Sequence, residues 1–191
     1  AYLKGCREVL GALAELERTG AYDRKYLLLV SPTGTGWVDH TVQEATEFFA
    51  RGDIATVCIQ YGRYPSFLSL QKVRPARRQF RTLALGVPQR LHGMAPEDRP
   101  EVLVFGESLG AWSSSDVVMK SGIDGFDSYS ISRALWFGMP HLARWSKAGL
   151  GRPGARTPPA TAAQGSTRTR ASNSRAGPSP RWRSPRPTPS P

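Results

Sequence analysis

The residue best placed to do chemistry in this chain is Ser108, held in Gly106-x-Ser108-x-Gly110 directly after the apolar run Val102 to Phe105. A serine hydroxyl is a weak nucleophile unless the fold exposes it and N–H donors meet the negative charge that its attack creates. A strand that stops abruptly on a serine and restarts as a helix supplies the exposure. That turn forces the serine into a strained backbone conformation and lifts its Oγ above the end of a sheet. Gly106 and Gly110 then have a steric job, because a side chain at either would collide where strand and helix pass closest. The bare pattern is weak, but its context is what such an elbow requires: a strand before it, and Ala111 to Lys120 able to continue as a helix. The same letters also fit an ordinary strand-to-helix turn made of small residues.

The elements around this turn read as alternating helices and strands. Leu3, Cys6, Leu10 and Leu13 recur at helical spacing and Gly20 provides a stop, which predicts an opening amphipathic helix over one face of a sheet. Tyr26 to Val30 is an all-apolar strand of the kind buried on both faces. Ser31-Pro-Thr-Gly-Thr-Gly-Trp37 leads from it into a helix with the apolar stripe Val38, Val42, Ala45 and Phe49. Thr41 and Glu44 have capping-box spacing, and Arg51-Gly52 closes that helix. The glycine loop is neither a P-loop nor a dinucleotide fingerprint: no Lys-Ser/Thr follows the glycines, and Asp39 stands where a third glycine would be needed. It remains a loop with backbone N–H groups at a helix start, suited to a developing anion.

Ile54 to Gln60 reads as a second strand, opening into Tyr61 to Phe67. In a parallel sheet this opening lies at the carboxyl end, where ligand crevices form. Tyr61, Tyr64 and Phe67 either line a substrate pocket or pack a loop over the sheet. Leu68 to Leu91 reads as a crossover helix disturbed by Pro75 and ended near Gly86-Val-Pro88, its arginines forming a solvated face. Ser121 to Gly125 is a turn cluster, and Arg133 to Gly138 is a fourth short strand. Four strands alternating with helices make a doubly wound, mostly parallel α/β layer.

Charge divides the chain in two. Residues 1–148 carry 18 basic and 15 acidic side chains, whereas 149–191 carry 8 arginines and no acid. The first part is therefore close to neutral and gives no electrostatic reason to expect a nucleic-acid partner. Of the last 43 residues, 39 are Ala, Pro, Arg, Gly, Ser or Thr, a composition that cannot offset ordering entropy and predicts a disordered tail. Two origins fit it: a basic tail that touches anionic partners, or an out-of-frame continuation of a GC-rich gene, the preferred reading. Cys6 and Cys58 form no disulfide framework, Cys58 reads as a buried thiol in its strand, and no zinc-type Cys/His spacing occurs. No metal or cofactor is expected. No apolar run approaches the roughly 20 residues that span a bilayer, so this chain alone reads as soluble.

Glu17-Arg-Thr-Gly-Ala-Tyr-Asp23, Thr33-Gly-Thr-Gly-Trp-Val-Asp39 and Val104-Phe-Gly-Glu-Ser-Leu-Gly110, in this order, carry a resemblance. Over roughly Ala14 to Lys147 the chain resembles the catalytic domain of an actinobacterial α/β-hydrolase family whose members usually carry membrane-spanning helices ahead of that domain. The resemblance implies a serine-hydrolase fold and membrane association of a full-length parent, and no known substrate; the expected partner is a small-molecule or lipid-like ester. It implies Ser108 as nucleophile, with oxyanion-hole N–H groups from Leu109 and from the Gly34-Thr35 region. In such folds the triad acid and histidine follow the serine on later loops. Here the arginine-rich tail begins first, so the domain is expected to be incomplete and its activity low. His141 comes early for the base; His40 and His92 fit no better. Two rival readings remain: a non-catalytic binding module using the Tyr61 and Tyr64 crevice, and nucleic-acid attachment through the tail.

Overall fold

The computed structural model describes residues 2–62 and 70–144. Tyr64, Phe67 and the tail from Gly149 onward lie outside the described residues, and with them the expectations placed on them. Four strands, β1 (Tyr26–Ser31), β2 (Ile54–Cys58), β3 (Glu101–Glu107) and β4 (Ile131–Phe137), form one sheet in the order β2-β1-β3-β4. Every neighbouring pair is parallel. The helices are α1 (Tyr2–Arg18), α2 (His40–Phe49), α3 (Val73–Leu91), α4 (Leu109–Val118) and the short α5 (Asp124–Ser128). This is the doubly wound α/β layer that the alternation of elements predicts.

Most of the core lies on one face of the sheet. Val9 and Leu16 of α1, Phe80, Leu83 and Val87 of α3, and Val117 and Val118 of α4 pack there on Leu27, Leu29, Val102 and Val104. Alternation along the strands sends Leu28, Val30 and Phe105 to the other face, where only the partly buried Val38 and Val42 approach from the α2 side. Phe49 was expected on the buried stripe of α2 but is 83% exposed, because that helix covers only part of its face. In α1 the buried stripe runs through Val9 and Leu16, and Leu10 faces solvent.

Four further expectations need correction. The N-cap of α2 is Asp39, whose Oδ1 accepts from Thr41 N and Val42 N, in place of a Thr41–Glu44 box. A carboxylate one residue ahead of the helix reaches these N–H groups first. Pro75 does not disturb α3, because it sits in the first turn, where its missing N–H has no intrahelical partner to lose. Nor does Gly86 end that helix. A β-carbon at Gly86 would stand 2.4 Å from Leu13 Cδ1, so the glycine serves the close passage of α3 over α1. Finally, Cys58 is exposed, since β2 is an edge strand.

Candidate active site

The strand order reverses between β1 and β3. The chain leaves β1 for α2 on one face and leaves β3 for α4 on the other, which opens a crevice at the carboxyl ends of these two strands. Ser31 pairs with Gly106 as the last step of the β1–β3 register, and Ser108 follows two residues later. The elbow therefore stands at the one place in the sheet where a crevice must form.

Ser108 has φ 54° and ψ −118°, a conformation that L residues rarely adopt and that costs on the order of 1–3 kcal/mol. Its own N–H donates to Phe137 O at 2.9 Å, and its carbonyl accepts from Trp112 N at 3.1 Å as the helix starts. The residue is half-buried, and among the described residues its side chain makes no hydrogen bond. Leu109 is the first residue of α4, so its N–H has no acceptor within the helix and adds to the positive end of the helix dipole.

The two flanking glycines are sterically required, as the motif predicts. A β-carbon on Gly110 would lie 2.0 Å from Ser31 O and 2.4 Å from Pro32 O; one on Gly106 would lie 2.7 Å from Ser114 Oγ and 2.9 Å from Ala111 Cα. Gly110 therefore brings the start of the loop after β1 into backbone contact with the elbow. That loop is internally braced. Thr33 N donates to Trp37 O, Gly36 N to Thr33 O and Trp37 N to Thr33 Oγ1. Thr33 Oγ1 also pairs with Thr35 Oγ1 at 2.9 Å. The N–H groups of Thr33, Gly36 and Trp37 are consumed in this way, and that of Thr35 lies outside the loop's own hydrogen bonds. Gly34 is buried.

Tyr61 is half-buried and donates its hydroxyl to Pro32 O at 2.8 Å, tying the segment after β2 to the same loop. Burial, and secondarily the neighbouring Cys58, pushes its phenol well above the usual range, so it stays a neutral donor at any physiological pH. It lines a narrow crevice with Ser31, Pro32, Ile59 and Gln79. The three histidines are exposed: His40 begins α2, His92 caps α3, and His141 follows β4.

Glu107 is a feature of the site that its type and spacing did not single out. Its Oε2 is buried without a hydrogen-bond partner, and desolvation, followed by repulsion from Asp39, raises its carboxyl above the ordinary glutamate range. An acid with a raised folded pKa binds more protons folded than unfolded, so stability falls as pH rises from the unfolded value toward the folded one. Glu107→Gln should therefore gain stability relative to the parent protein as pH rises from the acid side toward neutrality in chemical denaturation. Equal pH dependence of the two proteins would refute this. Among the described residues no group of three or more His, Cys, Asp or Glu could hold a metal ion.

A family model described as the alpha/beta-hydrolase family matches residues 6–187. The chain belongs to that family. No curated protein and no solved structure matches it. The alpha/beta-hydrolase fold accounts for the parallel sheet and for a strand–serine–helix turn at its carboxyl edge. Among the described residues of this family member no helix is long and apolar enough to cross a membrane.

Proposed function

We propose that the chain is a serine hydrolase of the alpha/beta class that cleaves an ester or thioester through an acyl-enzyme on Ser108. The observation that carries this reading is the left-handed φ of 54° at a half-buried serine between two sterically obligatory glycines, at the point where the strand order reverses. Ser108 Oγ attacks the carbonyl carbon, and the C=O electron pair moves onto oxygen. The N–H of Leu109 and the Gly34-Thr35 segment meet that charge. Collapse breaks the bond to the alcohol or thiol, which leaves with the serine proton; water then returns a proton to Ser108 and its hydroxyl to the acyl group.

In a full triad a histidine carries that proton. Among the described residues no imidazole is hydrogen-bonded to Ser108. Turnover by these residues alone is accordingly slow, on the order of 10³–10⁴ over the uncatalysed reaction, from the oxyanion hole and binding. The substrate class is a small-molecule or lipid-like ester, and membrane association of a longer actinobacterial parent follows from the sequence resemblance.

Fluorophosphonate labelling followed by peptide mass mapping tests the assignment. The adduct should sit on Ser108 and vanish in Ser108→Ala with the fold intact by circular dichroism. Label on another residue, or none together with ligand binding indifferent to Ser108→Ala, would turn the reading to a non-catalytic binding module.

A further inference from the structure

Helix α4 is built from buried apolar residues, Leu109, Ala111, Val117 and Val118, yet it carries Ser113, Ser114 and Ser115, each fully buried. Serine inside a helix competes with the backbone for hydrogen bonds and weakens it, so an alanine would serve packing better. The hydroxyls therefore call for a reason beyond filling space. Ser114 Oγ donates to Gly110 O at 2.7 Å and Ser113 Oγ to the same carbonyl at 3.2 Å. Trp136 Nε1 stands 3.0 Å from Ser114 Oγ, and Ser31 Oγ 3.0 Å from Ser113 Oγ.

The proton directions follow. An indole N–H can only donate, so Trp136 gives to Ser114, which gives to Gly110. Ser113 also gives its proton to Gly110, which leaves Ser31 as the donor to Ser113. Two chains of hydrogen bonds, one from β4 and one from β1, thus end on one carbonyl in the first turn of α4. Gly106 belongs to the same device, because Ser114 Oγ occupies the space that a side chain there would fill.

We propose that Trp136 is a positioning residue for the elbow: acting through Ser114, its indole N–H holds the first turn of α4, and so the Leu109 N–H, in register with Ser108. This rests on the serine-nucleophile reading. Trp136 pairs with Gly106 across β3 and β4, and its ring meets Phe126 edge-on at 6.1 Å. Trp136→Phe keeps an aromatic ring against Phe126 and removes only the donor. Ser114→Ala removes the relay from the other side and serves if the first variant does not fold.

Two measurements on the full chain test this. Saturation kinetics with a fluorophosphonate should show the limiting inactivation rate falling by about tenfold to a hundredfold in either variant, with the half-saturating concentration unchanged. In ¹H–¹⁵N spectra the Leu109 amide should shift while those of α2 do not. A lower melting temperature with the inactivation rate within about twofold of the parent's and an unmoved Leu109 amide would reduce Trp136 to a packing residue and overturn the inference alone. Failure of the unsubstituted protein to label at Ser108 would instead remove the nucleophile reading and this inference together.

Discussion

Gly110→Ala should lower the unfolding free energy by about 3 kcal/mol or more, the upper end of what overpacking costs. The new methyl carbon would stand 2.0 Å from Ser31 O and 2.4 Å from Pro32 O, far inside van der Waals contact. Both obstacles are backbone carbonyls, so no rotamer change can make room. The strand end and the helix must separate. Ser31 is also the last residue of β1 in register with β3, and separation loosens the sheet edge as well as the elbow. Gly11→Ala is the internal control: nothing lies within 4 Å of a β-carbon there, and the position is on an exposed part of α1. That change should raise stability by up to about 1 kcal/mol through helix propensity. Urea unfolding of both variants decides the matter. A loss below about 1 kcal/mol for Gly110→Ala would mean that the elbow is not packed against the loop after β1.

What the sequence made legible around this turn was local. A glycine two residues either side of a serine, after an apolar strand and before a helix, announces its own steric reason, and a β-carbon at Gly106 or Gly110 does collide, although the sequence did not show that the obstacle at Gly110 is the end of β1. The Arg51-Gly52 stop of α2 is local too, with positive φ at both residues. The misreadings depended on partners distant in the chain. Gly86 looks like a helix terminator until Leu13 of α1 is found against it. Cys58 sits in a β-branched run that suits a central strand as well as an edge, and only the pairing order makes it an edge. Ser114 and Trp136 are 22 residues apart, and no periodicity connects a mid-helix serine to an indole on the next strand. Glu107 is a further case: strand alternation sets its face, but its missing partner depends on the whole neighbourhood.

The same dependence on remote partners makes Arg77→Met the second large effect. Asp116 on α4 is ion-paired with Arg77 on α3, and its carboxylate also accepts from Trp112 Nε1 and from Arg144 N, each at 3.1 Å. The Arg77 guanidinium lies over the Trp112 ring, 5.4 Å from its centroid. One cluster thus fastens α3, α4 and the segment after β4 together behind the elbow. The partners differ in their access to water: the Asp116 side chain is 2% exposed and that of Arg77 31%. Removing the arginine strands a charge that cannot reach solvent, whereas removing the aspartate leaves one that can. Arg77→Met should therefore cost about 3–5 kcal/mol, and Asp116→Leu less. The double variant should be more stable than Arg77→Met alone, because an apolar pair of similar volume carries no desolvated charge. A denaturation cycle over the four proteins tests the ordering. If Arg77→Met and Asp116→Leu prove equally mild and strictly additive, the two side chains are not coupled, and the cluster does not hold the helix that carries the elbow.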